Sequence, residues 1–354
     1  MQRIESKIGY FFATALLCFT AVIRSYAQEI RIGSYEFPDG AIYQGEIFRG
    51  KPYGRGVTRF KNGDRHEGLY VKGKRHGQGT YEFADGEKYI GEWYQGQQHG
   101  LGTYYFINNN RYEGLWFRDT QHGKGTMYYY NGDVYDGYWE NDMRQGEGTY
   151  TFSNGASYVG TWKNDMKDGQ GVFDWADGNR YEGGWKENRK SGKGTFVYAT
   201  GDKYTGEWQN DEQHGRGIYV FGDGNVYEGS YVKGQRTGEG IFTFKNGDKY
   251  IGNFKDGDQN GHGIFRWSNG SVYDGNWKNN RQHGKGKYTS SNGDVYDGEW
   301  VDGMMEGEGI LRQADGTKYK GHFRAGLKDG YGIQEDKNGK RYEGHFKAGE
   351  MVDR

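Results

Sequence analysis

The chain has 354 residues, with 65 Gly but only 2 Pro, and half of its 33% hydrophobic content is aromatic (17%); this combination excludes low-complexity disorder and an ordinary aliphatic core. Forty-seven basic residues balance 48 acidic ones, a net charge of −1. No net field draws in nucleic acid or an anionic membrane, and a polyanionic partner is disfavoured.

The first 28 residues differ from the rest. Arg3 and Lys7 precede the apolar run Gly9–Ile23, and Ser25-Tyr26-Ala27 offers small residues at a cleavage site. This pattern predicts a signal peptide over 1–27 and export to a periplasmic, extracellular or lumenal compartment. The alternative is an uncleaved N-terminal anchor, for which the run falls short of the ~20 apolar residues a spanning helix needs. Cys18 is the only cysteine, so cleavage leaves residues 28–354 without thiol or disulfide chemistry.

From Tyr43 onward the pattern Tyr-x-Gly-x-aromatic returns every 23 residues, at His66 (a substitute), Tyr89, Tyr112, Tyr135 and so on to Tyr342. A fixed period of this length marks an array of units stacked on their neighbours. Within one period, Tyr89, Gly91 and Trp93 alternate with Ile90 and Glu92, and Gly100, Gly102, Tyr104 and Phe106 alternate with Leu101, Thr103 and Tyr105. Both runs have the period of two that defines a strand, so each repeat is expected to be a β-hairpin. The position three before each tyrosine is Gly, or Asn109 once, and the position seven after it is Gly, Asp or Asn. Both are expected to be left-handed turn points at which these residue types interchange freely, so that Asp165→Gly is expected to be nearly silent. If the loops are centred, Trp93 lies opposite Gly100 and Gly79, and Tyr89 lies between Tyr104 and Phe83. Each indole would then rest on bare glycine backbone. The other face, with Glu, Asp, Lys, Thr and Val, can meet water.

The spacing Tyr-x-Gly-x-Trp-x-x-Gly-x-x-x-Gly-x-Gly resembles the MORN (membrane occupation and recognition nexus) repeat over roughly Tyr35 to Met351. The resemblance implies an all-β fold: an elongated single-layer antiparallel sheet of about 14 stacked 23-residue hairpins with a shallow aromatic groove. It also implies a scaffolding module that docks proteins or lipids. Ile47 and Tyr70 in place of tryptophan, and Ser290, Gln313 and Asp336 in place of the aromatic represented by Phe106, read as capping repeats.

The chemical alternatives are weaker. Gly-x-Gly recurs without a following Gly-Lys-Ser/Thr or a helix to seat a phosphate, so no nucleotide or other cofactor is expected. His76, His99 and His122 form a row, but repeats two strands apart are separated by about 9.5 Å, too far to share one metal. No insertion builds an asymmetric pocket, so no catalytic or metal site is expected and the chain is read as not an enzyme. The expected function is a scaffold docking protein partners along a groove formed by Trp93, Trp116, Trp139, Trp162, Trp185, Trp208, Trp277 and Trp300. The competing reading is a lipid- or glycan-binding adhesion module at a membrane or cell envelope, and self-association stays open. Whether the aromatic ribbon is a buried substitute for a core or an open groove is not decided by its residues.

Overall fold

The computed structural model describes residues 30–352; the signal-peptide reading lies outside them. Every regular element among them is a β-strand, 29 in all, numbered in chain order from β1 (Ile30–Glu36) to β29 (Glu350–Met351). They fall into two compact units, one ending at Met166 and the other beginning at Lys167. Within each unit every strand pairs antiparallel with its neighbours in sequence, as in Lys74–Glu82, Lys88–Tyr94 and Gln97–Tyr105 of the first unit and Arg180–Lys186, Arg189–Val197 and Lys203–Gln209 of the second. The all-β stacked-hairpin expectation holds.

Two turns alternate. The first is a two-residue loop such as Asn141-Asp142, with φ of 50° and 66°; positive φ at both positions is the type I′ turn, whose twist suits a tight hairpin. The expected left-handed site seven after the tyrosine is therefore correct, and the residue before it is left-handed as well. The second turn runs over five residues, as in Phe83–Glu87, where the Phe83 N–H donates to Glu87 O and the Gly86 N–H to Phe83 O, both at 3.0 Å. Gly86, three before Tyr89, has φ of 99°, as expected.

The register differs from the centred-loop expectation in two places. Tyr89 faces Tyr104 as expected, but on its other side it faces Tyr81 and not Phe83. The longer turn is centred on Asp85, one residue earlier than assumed, and moving a turn centre by one residue moves each partner by two, which preserves the face. Trp93 faces Gln98 and Gly77, not Gly100 and Gly79. Gly91 still faces Gly102 while Glu92 faces His99, so Gly100 and Leu101 bulge out of the ladder.

This bulge reassigns the glycines. It is the tyrosine, not the indole, that lies on bare backbone: a Cβ on Gly102 would stand 2.4 Å from the Tyr89 hydroxyl oxygen. That hydroxyl donates to Glu92 O at 2.9 Å, a carbonyl beside the bulge. The same bond recurs in Tyr135 to Tyr138 O at 3.1 Å and Tyr273 to Asn276 O at 2.9 Å. From Tyr43 to Tyr319 these rings are 0–1% exposed, and burial pushes their hydroxyls far above the ordinary phenol range.

Candidate partner groove

Because side chains alternate across the strands, the tyrosines, tryptophans and second-strand rings share one face. Tyr89 meets Trp93 edge-on at 5.2 Å and Trp116 of the next repeat at 5.3 Å. Tyr112 does the same with Trp116 and Trp139, and in the second unit Tyr273 with Trp277 and Trp300. Edge-to-face geometry sets ring edges against π-faces, so the zipper is favourable beyond its buried area. The indole N–H of each first-strand tryptophan is spent inward, as in Trp139 Nε1 to Gly125 O at 3.0 Å and Trp277 Nε1 to Gly263 O at 3.0 Å.

The eight tryptophans named from the sequence are thus core-like: Trp93, Trp116, Trp139, Trp162, Trp185, Trp208, Trp277 and Trp300 are 4–7% exposed. Several are also lidded. Arg75 lies 4.1 Å from the Trp93 ring centre, Arg144 4.4 Å from Trp162, and Lys167 and Lys190 4.3 Å from Trp185 and Trp208. Desolvation lowers the Lys167 ammonium to a pKa of about 8 and moves Lys190 in the same direction. At the same position over Trp116 and Trp139 stand Gln98 and Gln121, and both line a cleft on the aromatic face.

There, in the first unit, a cleft of about 750 Å³ is lined by Trp93, Trp116 and Trp139 together with groups that sequence reading did not single out. Phe83, Tyr104, Phe106 and Tyr129 contribute half-buried rings at the end of the strands bearing the five-residue turns. Asp119, Asp142 and Asp165 contribute carboxylates at the opposite, type I′ end. One Oδ of each aspartate accepts the backbone N–H of the residue 21 before it: Gln98 at 2.7 Å, Gln121 at 2.8 Å and Arg144 at 3.0 Å. Asn188 and Asn280 make the same bond, to Lys167 and Gln259 at 2.8 Å. The signal for these groups was present in the 23-residue register: Asp stands at the same turn position in three successive repeats.

On the opposite face the histidine row is built into a ring ladder. His76, Tyr94, His99, Phe117 and His122 follow one another at 5.4–5.6 Å. Leu101 and Phe117 stand exposed on this side, making it more apolar than its charged neighbours suggested.

A family model described as the MORN repeat matches thirteen consecutive 23-residue segments covering 43–341. A search of curated proteins returns no match. Similar solved structures include the SAS-4 (dCPAP) TCP domain of Drosophila melanogaster in complex with a proline-rich motif of Ana2, 13% identical over 50% of this chain and 90% of that one, with a TM-score of 0.29. Others are the TCP10 domain of Danio rerio CPAP with a STIL peptide, 12% identical over 81% and 96% with a TM-score of 0.22, and a streptogramin B lyase, 11% identical over 83% and 90% with a TM-score of 0.14. Likenesses this slight transfer no property. The thirteen in-register matches cover most of the chain, and they agree with the hairpin, its glycine seats and its aromatic face: this protein belongs to the MORN repeat family.

Proposed function

We propose that the protein is a non-catalytic scaffold, exported from the cytosol, and that the cleft of its first unit seats an extended polypeptide bearing basic residues at every third position. The observation that carries this reading is the row Asp119, Asp142 and Asp165, one carboxylate per repeat, facing half-buried rings across a tryptophan floor. Successive repeats advance by two strands, about 9.6 Å at ~4.8 Å each. Three residues of an extended left-handed chain advance about 9.3 Å. A partner lying along the cleft therefore repeats in step with the carboxylates and sets its intervening residues against Phe83, Phe106 and Tyr129. Among the described residues the cleft sets three carboxylates against one lining base, Arg75, with Arg144 paired to Asp165 Oδ1 at 3.0 Å, so the local field stays acidic and favours a cationic ligand.

The test is titration calorimetry with a short peptide carrying lysine at every third position and with its glutamate counterpart. The variant Asp119→Asn/Asp142→Asn/Asp165→Asn removes charge while keeping the turn bond, as Asn188 and Asn280 do. Binding of the lysine peptide is expected to weaken by at least about tenfold in this variant, with the glutamate peptide not bound by either protein. Equal binding of both peptides, or none, refutes the reading. Capture by lipid vesicles or glycans alone transfers it to envelope adhesion. Export is checked separately: the native protein is expected to begin at Gln28, and recovery of Met1 in a membrane fraction replaces secretion by anchoring.

A further inference from the structure

The first full strand, β1, and the last full strand, β28 (Arg341–Lys347), are each half of a repeat, and the halves are complementary. β1 has the pattern of a second strand: Gly33 faces Gly45 and Tyr35 faces Tyr43, as Gly79 faces Gly91 and Tyr81 faces Tyr89. Its only pairing among the described residues is with Ile42–Phe48, so none of them lies on the side where a hairpin partner belongs. β28 is a first strand. On its outer side it is paired only at Lys347 and Phe346, by β29, and the Val352 N–H closes onto His345 O at 2.9 Å. The backbone of Arg341–Gly344 has no strand on that side among the described residues.

The side chains show the same incompleteness. In an internal repeat the tyrosine ring of the first strand sits on a glycine of the second: a Cβ on Gly332 would stand 2.4 Å from the Tyr319 hydroxyl oxygen. Gly33 is such a seat without a ring, for a Cβ there would meet only the Ile47 side chain. Tyr342 is a ring without a seat. It is only half-buried where Tyr319 is 1% exposed, and its hydroxyl reaches Asp336 Oδ2 at 3.5 Å instead of a bulge carbonyl. The charges fit as well. At this hairpin position Arg65 faces Glu82 with an ion pair at 3.2 Å, and Lys318 faces Glu335 with one at 3.6 Å. The register that places Tyr342 against Tyr35 and Gly344 against Gly33 places Arg341 against Glu36.

We propose that β28 of one copy pairs with β1 of a second, completing a repeat between them, so that the protein associates head to tail. The contact is heterologous, one edge meeting a different edge, and it propagates unless it closes into a ring. It is independent of the groove reading, since neither edge lines the cleft.

Sedimentation of the full chain tests it. The average mass is expected to rise with concentration. Glu36→Arg or Arg341→Glu alone is expected to weaken association by at least about fivefold, and the two together in one chain to restore it. In a Cys18→Ser background, Ser34→Cys combined with Glu343→Cys is expected to give a disulfide-linked ladder. A chain that stays monomeric to about 0.5 mM, an association indifferent to both charge reversals, or cross-linking by Ser34→Cys alone, which would mean that two β1 edges meet, each overturns the proposal.

Discussion

At the scale of single residues, the hydroxyl of the repeated tyrosine matters as much as its ring. The bulge leaves carbonyls without ladder partners, and the Tyr135 hydroxyl answers one of them, donating to Tyr138 O at 3.1 Å. Tyr135→Phe keeps the ring on Gly137 and Gly148 but strands that buried acceptor. It is expected to cost about 1–2 kcal/mol in urea unfolding, where a surface Tyr→Phe change costs almost nothing. His66 replaces this tyrosine in one repeat and is fully buried, with its Nδ1 against the Tyr70 hydroxyl at 2.8 Å. Desolvation first, then the nearby charges of Arg75 and Arg65, hold its pKa down at about 3. The folded state thus keeps the imidazole neutral while the unfolded chain protonates it near pH 6.5, so the unfolded state binds more protons between these values. Stability is expected to be full above pH 6.5 and to fall as the pH drops toward 3, by up to on the order of 4 kcal/mol from this group. His66→Tyr should flatten that part of the stability profile, and an unchanged slope would remove His66 as its source.

At the scale of the hairpin, two turns with different chemistry set the register. Glycine, aspartate and asparagine all adopt the left-handed conformation of the type I′ turn, which made them look interchangeable. They are not, because the carboxylate or amide also ties its turn to the preceding hairpin. Asp165 accepts from the Arg144 backbone N–H and from its Nε, both at 3.0 Å, and its carbonyl accepts from Arg144 Nη2 at 2.9 Å. Asp165→Gly is therefore expected to lower stability by about 1–2 kcal/mol, and Asp165→Asn by less than about 1 kcal/mol. Thermal unfolding of the two variants side by side decides the matter; equal losses would mean that only the backbone conformation counts.

At the scale of the molecule, each described hairpin within a unit pairs with its neighbours in sequence, so the stability of a unit is a sum over repeats and the interfaces between them. Removing residues 227–249, one whole period inside the second unit, rejoins equivalent strands, and is expected to leave the β-type circular dichroism intact with the melting temperature lowered by only about 2–5 °C. Loss of cooperative unfolding would show that some repeat carries a role its neighbours cannot take over. The sequence by itself determined the strand alternation, the 23-residue step and the two left-handed turn sites, because side-chain periodicity and positive φ are local properties carried by Tyr-x-Gly-x-Trp and by residues such as Gly86 and Asn109. It did not determine which partner each ring meets. That depends on a bulge at Gly100 and Leu101 and on a turn centred on Asp85: two extra residues in the bulge, or a one-residue move of the turn centre, shift the cross-strand pairing by two without changing the face. Only the tertiary structure therefore decided that tyrosine and not tryptophan rests on glycine, and that the eight indoles are nearly buried. It also decided that the aspartates of three turns, 23 residues apart in the chain, line one cleft, since proximity across neighbouring hairpins exists only once the pairing is set.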